Sequence, residues 1–338
     1  MSESTTVAVN VSAEQQVAQP AAATVAEPAR VVSLATRPYS DRNVLTIDLE
    51  EWFHVTNFER YIHRDDWAAC PTRIDYTLPK LLDLLATYGA RATFFTLGWI
   101  ARRFPTLIRR IADEGHELAT HGDEHRLVTR QSPVEFREQL LRSRDAIEQA
   151  GGSRVLGHRA PTYSLRKTTD WAIQIMLEEG FEYDSSIFPA GSRRDPKLCD
   201  SRFPCLLVDA DRGTLVEYPL STVRVFGCNI PMAGGGYFRL LPYAWIKLAV
   251  QRLNGAGQPA IMYLHPWELD PQQPRVNHAS WLARFRHYHK LDQAEGKFRR
   301  LLSDFRFGSI RDVFWSRTTQ RFEEVPQDGW VARDRGEA

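Results

Sequence analysis

The chain has 338 residues, 43% hydrophobic and 25% charged, with a formal net charge of +1 at pH 7. That is the make-up of one large α/β domain with additions, or of two domains, and it excludes a strongly basic nucleic-acid binder. No apolar run reaches membrane-spanning length and no basic-then-apolar start marks a signal peptide, so the expected location is the cytoplasm. Cys70, Cys199, Cys205 and Cys228 include no Cys-x-x-Cys pair. They read as reduced thiols, with a Cys199–Cys205 bridge the pairing left open.

Residues 1–40, a loose mixture of Ala, Val, Thr, Ser, Gln and Glu, read as a disordered leader. Asn43 to Ile47 is then a buried strand that runs into Asp48-Leu49-Glu50-Glu51. The aromatic-rich segment Trp52 to Trp67 has no clean period and reads as a loop over a site. Residues 73–88 place Ile74, Leu78, Leu81, Leu82 and Leu85 at helical spacing before Gly89. Ala92 to Leu97 is a second strand, residues 99–114 a helix interrupted near Pro105, and Glu117 to Ala119 a third strand. Ser132-Pro133-Val134-Glu135 is a capping box opening a helix to about Ala150. Further strands are expected at Arg154–Gly157, Phe181–Tyr183, Leu215–Tyr218 and Ala260–Leu264, and helices at 169–179 and 242–253. This alternation implies parallel strands with helical crossovers.

Polar residues recur where the strands end: Asp48, His121, Arg159, Asp184 and His265. In a barrel such ends gather at one mouth. Asp48 and Glu50, two apart on an extended chain, share a side, and Glu51 points the other way. His121 and His125, four apart, would share the face of one helical turn and could hold a metal. The same spacing also makes an ordinary polar helix face. A carboxylate from the first strand end would complete a two-histidine, one-carboxylate site open to water. Arg159 reads either as a surface turn residue or as the partner of a carboxylate. His265 reads either as a satisfied core histidine or as a general acid.

Together, in order, Thr46-Ile47-Asp48-Leu49-Glu50, His121 to His125, Arg159-Ala160-Pro161-Thr162-Tyr163, Tyr183-Asp184-Ser185-Ser186 and Leu264-His265 resemble the NodB-type polysaccharide deacetylases. Gly234-Gly235-Gly236-Tyr237-Phe238-Arg239 and His265-Pro266-Trp267-Glu268 resemble a branch found with bacterial exopolysaccharide gene clusters. The resemblance implies an α/β fold, a distorted (β/α) barrel with about seven strands, over residues 41–270. A C-terminal extension over 271–316 and a tail over 317–338 follow. It implies one divalent metal, usually zinc, held by Glu50, His121 and His125. Asp48 would be the general base, Arg159 its partner, His265 the general acid and Asp184 the group that orients His265. The backbone at Thr162 or Tyr163 would face the oxyanion. Trp52, Phe53, Tyr237, Phe238 and Trp267 would offer flat faces to sugar rings, or pack the barrel rim.

The family's second aspartate falls at Leu49 here, which cannot ligate, so the resemblance puts Glu50 on the metal. The implied reaction removes N-acetyl groups from amino sugars of a polysaccharide or its oligosaccharide precursor, lipid-linked or free. A metal-independent amidohydrolase on a small cyclic amide or ureide, and a non-catalytic carbohydrate-binding protein, are the competing readings. The basic residues of 284–311, Arg299 and Arg300 among them, are expected to form a solvated face or to meet an anionic part of the substrate or a membrane surface.

Overall fold

The computed structural model describes residues 30–33, 41–190, 201–209 and 212–315. Strand β1 (Arg30–Ser33) falls within the expected leader but pairs antiparallel with a later strand. The rest of that leader, the tail from residue 316 on and Cys199 lie outside the described residues.

Strand β2 (Asn43–Leu49) is buried along its whole length, as befits a parallel strand covered on both faces. Glu51 follows it and does not meet solvent. Its Oε1 accepts the backbone N–H groups of Arg73 (2.6 Å) and Ile74 (2.8 Å), which start helix α1 (Ile74–Thr87). That helix presents Ile74, Leu78, Leu81, Leu82 and Leu85 to the sheet, all fully buried. Each such side chain contributes roughly 1.5–3 kcal/mol by leaving water.

Strand β3 (Thr93–Thr96) leads into α2 (Gly98–Arg103) and α3 (Pro105–Asp113). The break between the helices is at Phe104 because Pro105 disfavours helical geometry in the residue before it. Gly98 is required at its position. A Cβ there would fall 2.2 Å from Asp123 Oδ1 and 2.8 Å from Ser143 Cα. Strand β4 (Glu117–Thr120) follows, then α4 (Pro133–Gly151), with the capping box of Ser132 and Glu135 formed and Gly152 left-handed at its end.

Strand β5 is Gly157–His158, shorter and later than Arg154–Gly157, and β6 is Tyr183–Asp184, after α5 (Trp171–Glu178). Strands β7 (Cys205–Asp209) and β8 (Gly213–Glu217) form an antiparallel pair. A separate hairpin, β9 (Thr222–Val225) with β10 (Cys228–Pro231), precedes α6 (Gly235–Leu240), α7 (Tyr243–Gly255) and β11 (Ile261–Leu264).

The parallel strands run β8-β6-β5-β4-β3-β2-β11, with β7 and β1 added antiparallel beyond β8. The sheet curls until its ends approach. Ser221, just after β8, donates its N–H to the Ile261 carbonyl (3.2 Å), and its hydroxyl oxygen accepts from the Ile261 N–H (2.8 Å). This is the expected α/β fold, a barrel distorted by that weak seam.

The C-terminal segment adds α8 (Trp281–Tyr288), α9 (Leu291–Asp304) and β12 (Phe307–Gly308), which pairs with the start of β2. The Trp52–Trp67 loop packs on this segment through a second apolar cluster of Trp52, Phe53, Phe58, Trp67, Trp267 and Leu291, among others. Among the described residues no helix is long and apolar enough to cross a membrane.

Candidate active site and metal centre

Asp48 ends β2 facing the barrel interior, 2% exposed. Arg159, just past β5 and fully buried, donates from Nη1 to Asp48 Oδ1 at 2.7 Å and to the Thr46 hydroxyl at 2.8 Å. Its Nε donates to the Ser185 carbonyl and its Nη2 to the Ser185 hydroxyl, so the guanidinium is held from three nitrogens. The Tyr163 hydroxyl donates to Asp48 Oδ2 at 3.3 Å. Burial alone would push the Asp48 carboxyl up, but Arg159, His121 and His265 outweigh it and hold it below its ordinary value. Asp48 is therefore ionised and oriented.

Glu50, His121 and His125 each turn a ligand-capable atom to one point, all within 4.8 Å of one another and all buried. The histidines do not sit on a helical turn, as their spacing suggested. They lie on the loop after β4, where Gly122 (φ 76°) and His125 (φ 51°) are both left-handed. Asp123, buried between Arg102 (2.6 Å) and Arg142 (3.1 Å), pins that loop, as does the Ser143 hydroxyl donating to the Gly122 carbonyl (2.9 Å). His121 Nδ1 lies 2.9 Å from the Arg159 carbonyl, which can only accept. Nδ1 therefore carries the proton and Nε2 offers its lone pair. Burial pushes His121 down to about 4 and His125 well below its ordinary range, so both are neutral, the form that binds a metal. His125 Nε2 approaches Glu50 Oε2 at 3.1 Å, and that buried oxygen has no hydrogen-bond partner. Burial pushes Glu50 up to about 7. A divalent cation between the three would relieve that penalty and satisfy the orphaned oxygen. The donor set thus fits the expected metal.

His265 lies just past β11, with Nε2 3.4 Å from Glu50 Oε1 and 4.0 Å from Asp48 Oδ2. Asp184 does not orient it. That carboxylate bonds His158 Nδ1 (2.8 Å) and Ser186, on the far side of Arg159's strand. The orienting group is Glu268, whose Oε2 meets His265 Nδ1 at 3.0 Å and accepts the His265 backbone N–H at 3.1 Å. The buried Arg239 in turn donates to Glu268 Oε1 at 2.7 Å. Burial opposes charging of His265, but Glu268, Glu50 and Asp48 overcome it and raise the imidazole to about 9. The sequence did carry a signal for Glu268. Proline at the first position of a helical turn and glutamate at the third is a capping pattern, and His265-Pro266-Trp267-Glu268 is that pattern.

These groups open on a cleft of about 630 Å³, whose lining includes Thr162, Tyr163, Tyr237, Tyr263 and Trp267. Thr162 (φ 54°) and Tyr163 (φ 53°) are consecutive left-handed residues, a strained backbone of the kind held at functional sites. The Tyr163 N–H is taken by the Ala160 carbonyl (3.0 Å), so its phenol and not its amide serves the site. Trp267 is stacked between His265 and His287 and donates to Glu50 Oε1 at 3.4 Å, behind the reacting groups. Trp52 is no sugar platform. It is 4% exposed and donates to the Pro71 carbonyl inside the second cluster. Phe53 and Phe238 are likewise buried, whereas Tyr237 is 42% exposed. Arg299 pairs with Glu295 on α9 and neither it nor Arg300 lines the cleft; Arg286 does.

Residues 65–183 match the polysaccharide deacetylase family, and residues 185–315 match a domain of unknown function, DUF3473. His121, His125 and Arg159 lie in the first match and Tyr237, His265 and Glu268 in the second, while Asp48 and Glu50 precede both. A peptidoglycan-N-acetylglucosamine deacetylase of Bacillus cereus is 35% identical over 74 residues, 22% of this chain and 27% of that protein. A chitooligosaccharide deacetylase of Bradyrhizobium is 33% identical over 90 residues, 27% of this chain and 41% of that one. The matched part is thus 27% and 41% of the length of these two curated relatives. A crystal structure from Mycobacterium smegmatis, of a protein assigned to the polysaccharide deacetylases, covers 90% of this chain and 99% of its own. It has a TM-score of 0.55 and 19% identity, and so shares the fold.

Proposed function

We propose, from the premise that residues 65–183 form a polysaccharide deacetylase domain, that the protein is a metal-dependent hydrolase acting on amino sugars. It removes their N-acetyl groups in a bacterial polysaccharide or in its oligosaccharide precursor. The observation that carries this reading is the convergence of Glu50, His121 and His125 on one cleft that also exposes Asp48 and His265. Those three side chains would hold the cation, and nitrogen and carboxylate donors in that ratio suit zinc. Bound there, it supplies Lewis acidity to the water and acyl oxygen of the reaction.

Asp48, kept ionised by Arg159, takes a proton from the water that attacks the acetamide carbon. Arg159 and the Tyr163 hydroxyl fix both carboxylate oxygens, so that proton transfer needs no reorientation. The Thr162 N–H is offered to the acyl oxygen as its charge develops. His265, charged and held through Nδ1 by Glu268, gives its Nε2 proton to the leaving nitrogen as the C–N bond breaks. Acetate and a free amine result. Tyr237 offers a flat face to a sugar ring at the cleft wall.

Acetate release from a panel of N-acetylated oligosaccharides, with and without chelator, tests this. Release that stops in chelator and returns with zinc is the expected result. No release from any member overturns the hydrolase reading, and release unchanged in chelator favours the metal-independent amidohydrolase.

A further inference from the structure

We infer that helix α8 and the end of α6 form a docking rim for an anionic lipid bilayer at the mouth of this cleft. Helix α8 buries only Ala283 and His287, and turns Trp281, Leu282 and Phe285 outward at 74, 49 and 39% exposed. An ordinary surface helix does the reverse, burying its bulky apolar stripe. Trp281 and Phe285 stack on one another at 5.4 Å, so the outward face is one ordered apolar surface. Leu240, 47% exposed, and Tyr237 continue it across the cleft on α6. Five of the nine large apolar side chains exposed among the described residues thus gather at this rim. Such a concentration marks an interaction site.

The charge on α8 decides the partner. Between its apolar residues the helix carries Arg284 and Arg286, both exposed, and no acid. Trp, Leu and Phe interleaved with arginine is the pattern of a helix lying in a membrane interface, where anionic headgroups attract the arginines. Leu240 and Leu282 have no flat face for a sugar ring. The helix is also rigidly placed. Arg239, which holds Glu268, donates to the carbonyls of Arg286 (2.9 Å), His287 (3.0 Å) and His289 (2.6 Å) at its end. Because Leu282, Phe285 and Arg286 line the same cleft as Asp48 and His265, docking here sets the cleft mouth against the lipid surface. The inference is independent of the catalytic reading, since lipid binding is measured without turnover.

The test is cosedimentation of the full chain with vesicles of phosphatidylcholine alone and of phosphatidylcholine mixed with phosphatidylglycerol, at low and high salt. Binding to the mixed vesicles, weakened by salt, is expected. Trp281→Glu and Arg284→Glu, neither of which lines the cleft, should each weaken it about tenfold or more. Both variants should keep the parent's thermal melt and its acetate release from a soluble chito-oligomer. Absence of binding to anionic vesicles, or equal binding by the variants, overturns the inference. So does a fluorescence change with soluble glycan and not with vesicles that the parent shows and Trp281→Glu lacks, or a concentration-dependent dimer that Trp281→Glu abolishes.

Discussion

Glu51 and His116 carry charge questions that belong to stability and not to chemistry. Glu51 points away from Asp48 and Glu50, as strand alternation requires, but what lies on that side is the start of α1. No pattern within residues 48–51 could say so, because the partner amides are more than twenty residues on. Glu51→Ala should lower unfolding free energy by about 1–3 kcal/mol while leaving turnover of the folded fraction intact. Urea titration beside an activity assay would check this, and lost activity with unchanged stability would contradict it. His116 accepts the Ala92 N–H through Nδ1 at 3.2 Å, and burial depresses it from 6.5 to about 4. The unfolded chain takes up this proton first as pH falls. The stability tied to His116 is therefore full above about pH 6.5 and declines toward pH 4, by about 3 kcal/mol in all. His116→Asn should flatten that part of the pH dependence of the urea midpoint. Parallel curves would contradict the assignment.

At the scale of elements, strand ends were the legible feature. The apolar run of β2, the capping box of α4 and the Pro105 break follow from local rules, and the structure has each of them. Asp48 beside Arg159 was legible only through the family resemblance, since 111 residues separate them. Two local readings differ from the structure, and one hairpin had no local signal. His121 and His125 sit on a loop because Gly122 turns left-handed and Asp123 is clamped by two arginines. The β9–β10 hairpin has four-residue strands that bury Thr222 and Val223 side by side and expose or half-expose the rest, so no strict alternation marks it. Glu268 displaced Asp184 as the partner of His265 because the short turn Pro266–Leu269 folds its carboxylate back onto the imidazole. Glu268→Gln should lower kcat about tenfold to a hundredfold with little change in KM, as loss of an orienting carboxylate does. Unchanged kcat would return that role to another group.

At the scale of the molecule, the site is assembled from both matched regions and from β2, which precedes them. Strand β1 lies at the opposite edge of the sheet order, beyond β7 and β8. A chain beginning at Ser40 should therefore keep its activity per molecule, yet be less soluble, because the edge of β7 is uncovered. Lost activity in the soluble fraction would contradict this. In the proposed mechanism labour is divided across the cleft, with Glu50, His121 and His125 for the metal and Asp48 for the proton. The most direct test is zinc affinity and acetate release measured together in Asp48→Asn and Glu50→Gln. Asp48→Asn should keep zinc while turnover falls by about two to four orders of magnitude. Glu50→Gln should bind zinc more weakly and recover part of its activity in excess zinc. Zinc lost from Asp48→Asn, or held unchanged by Glu50→Gln, would contradict it.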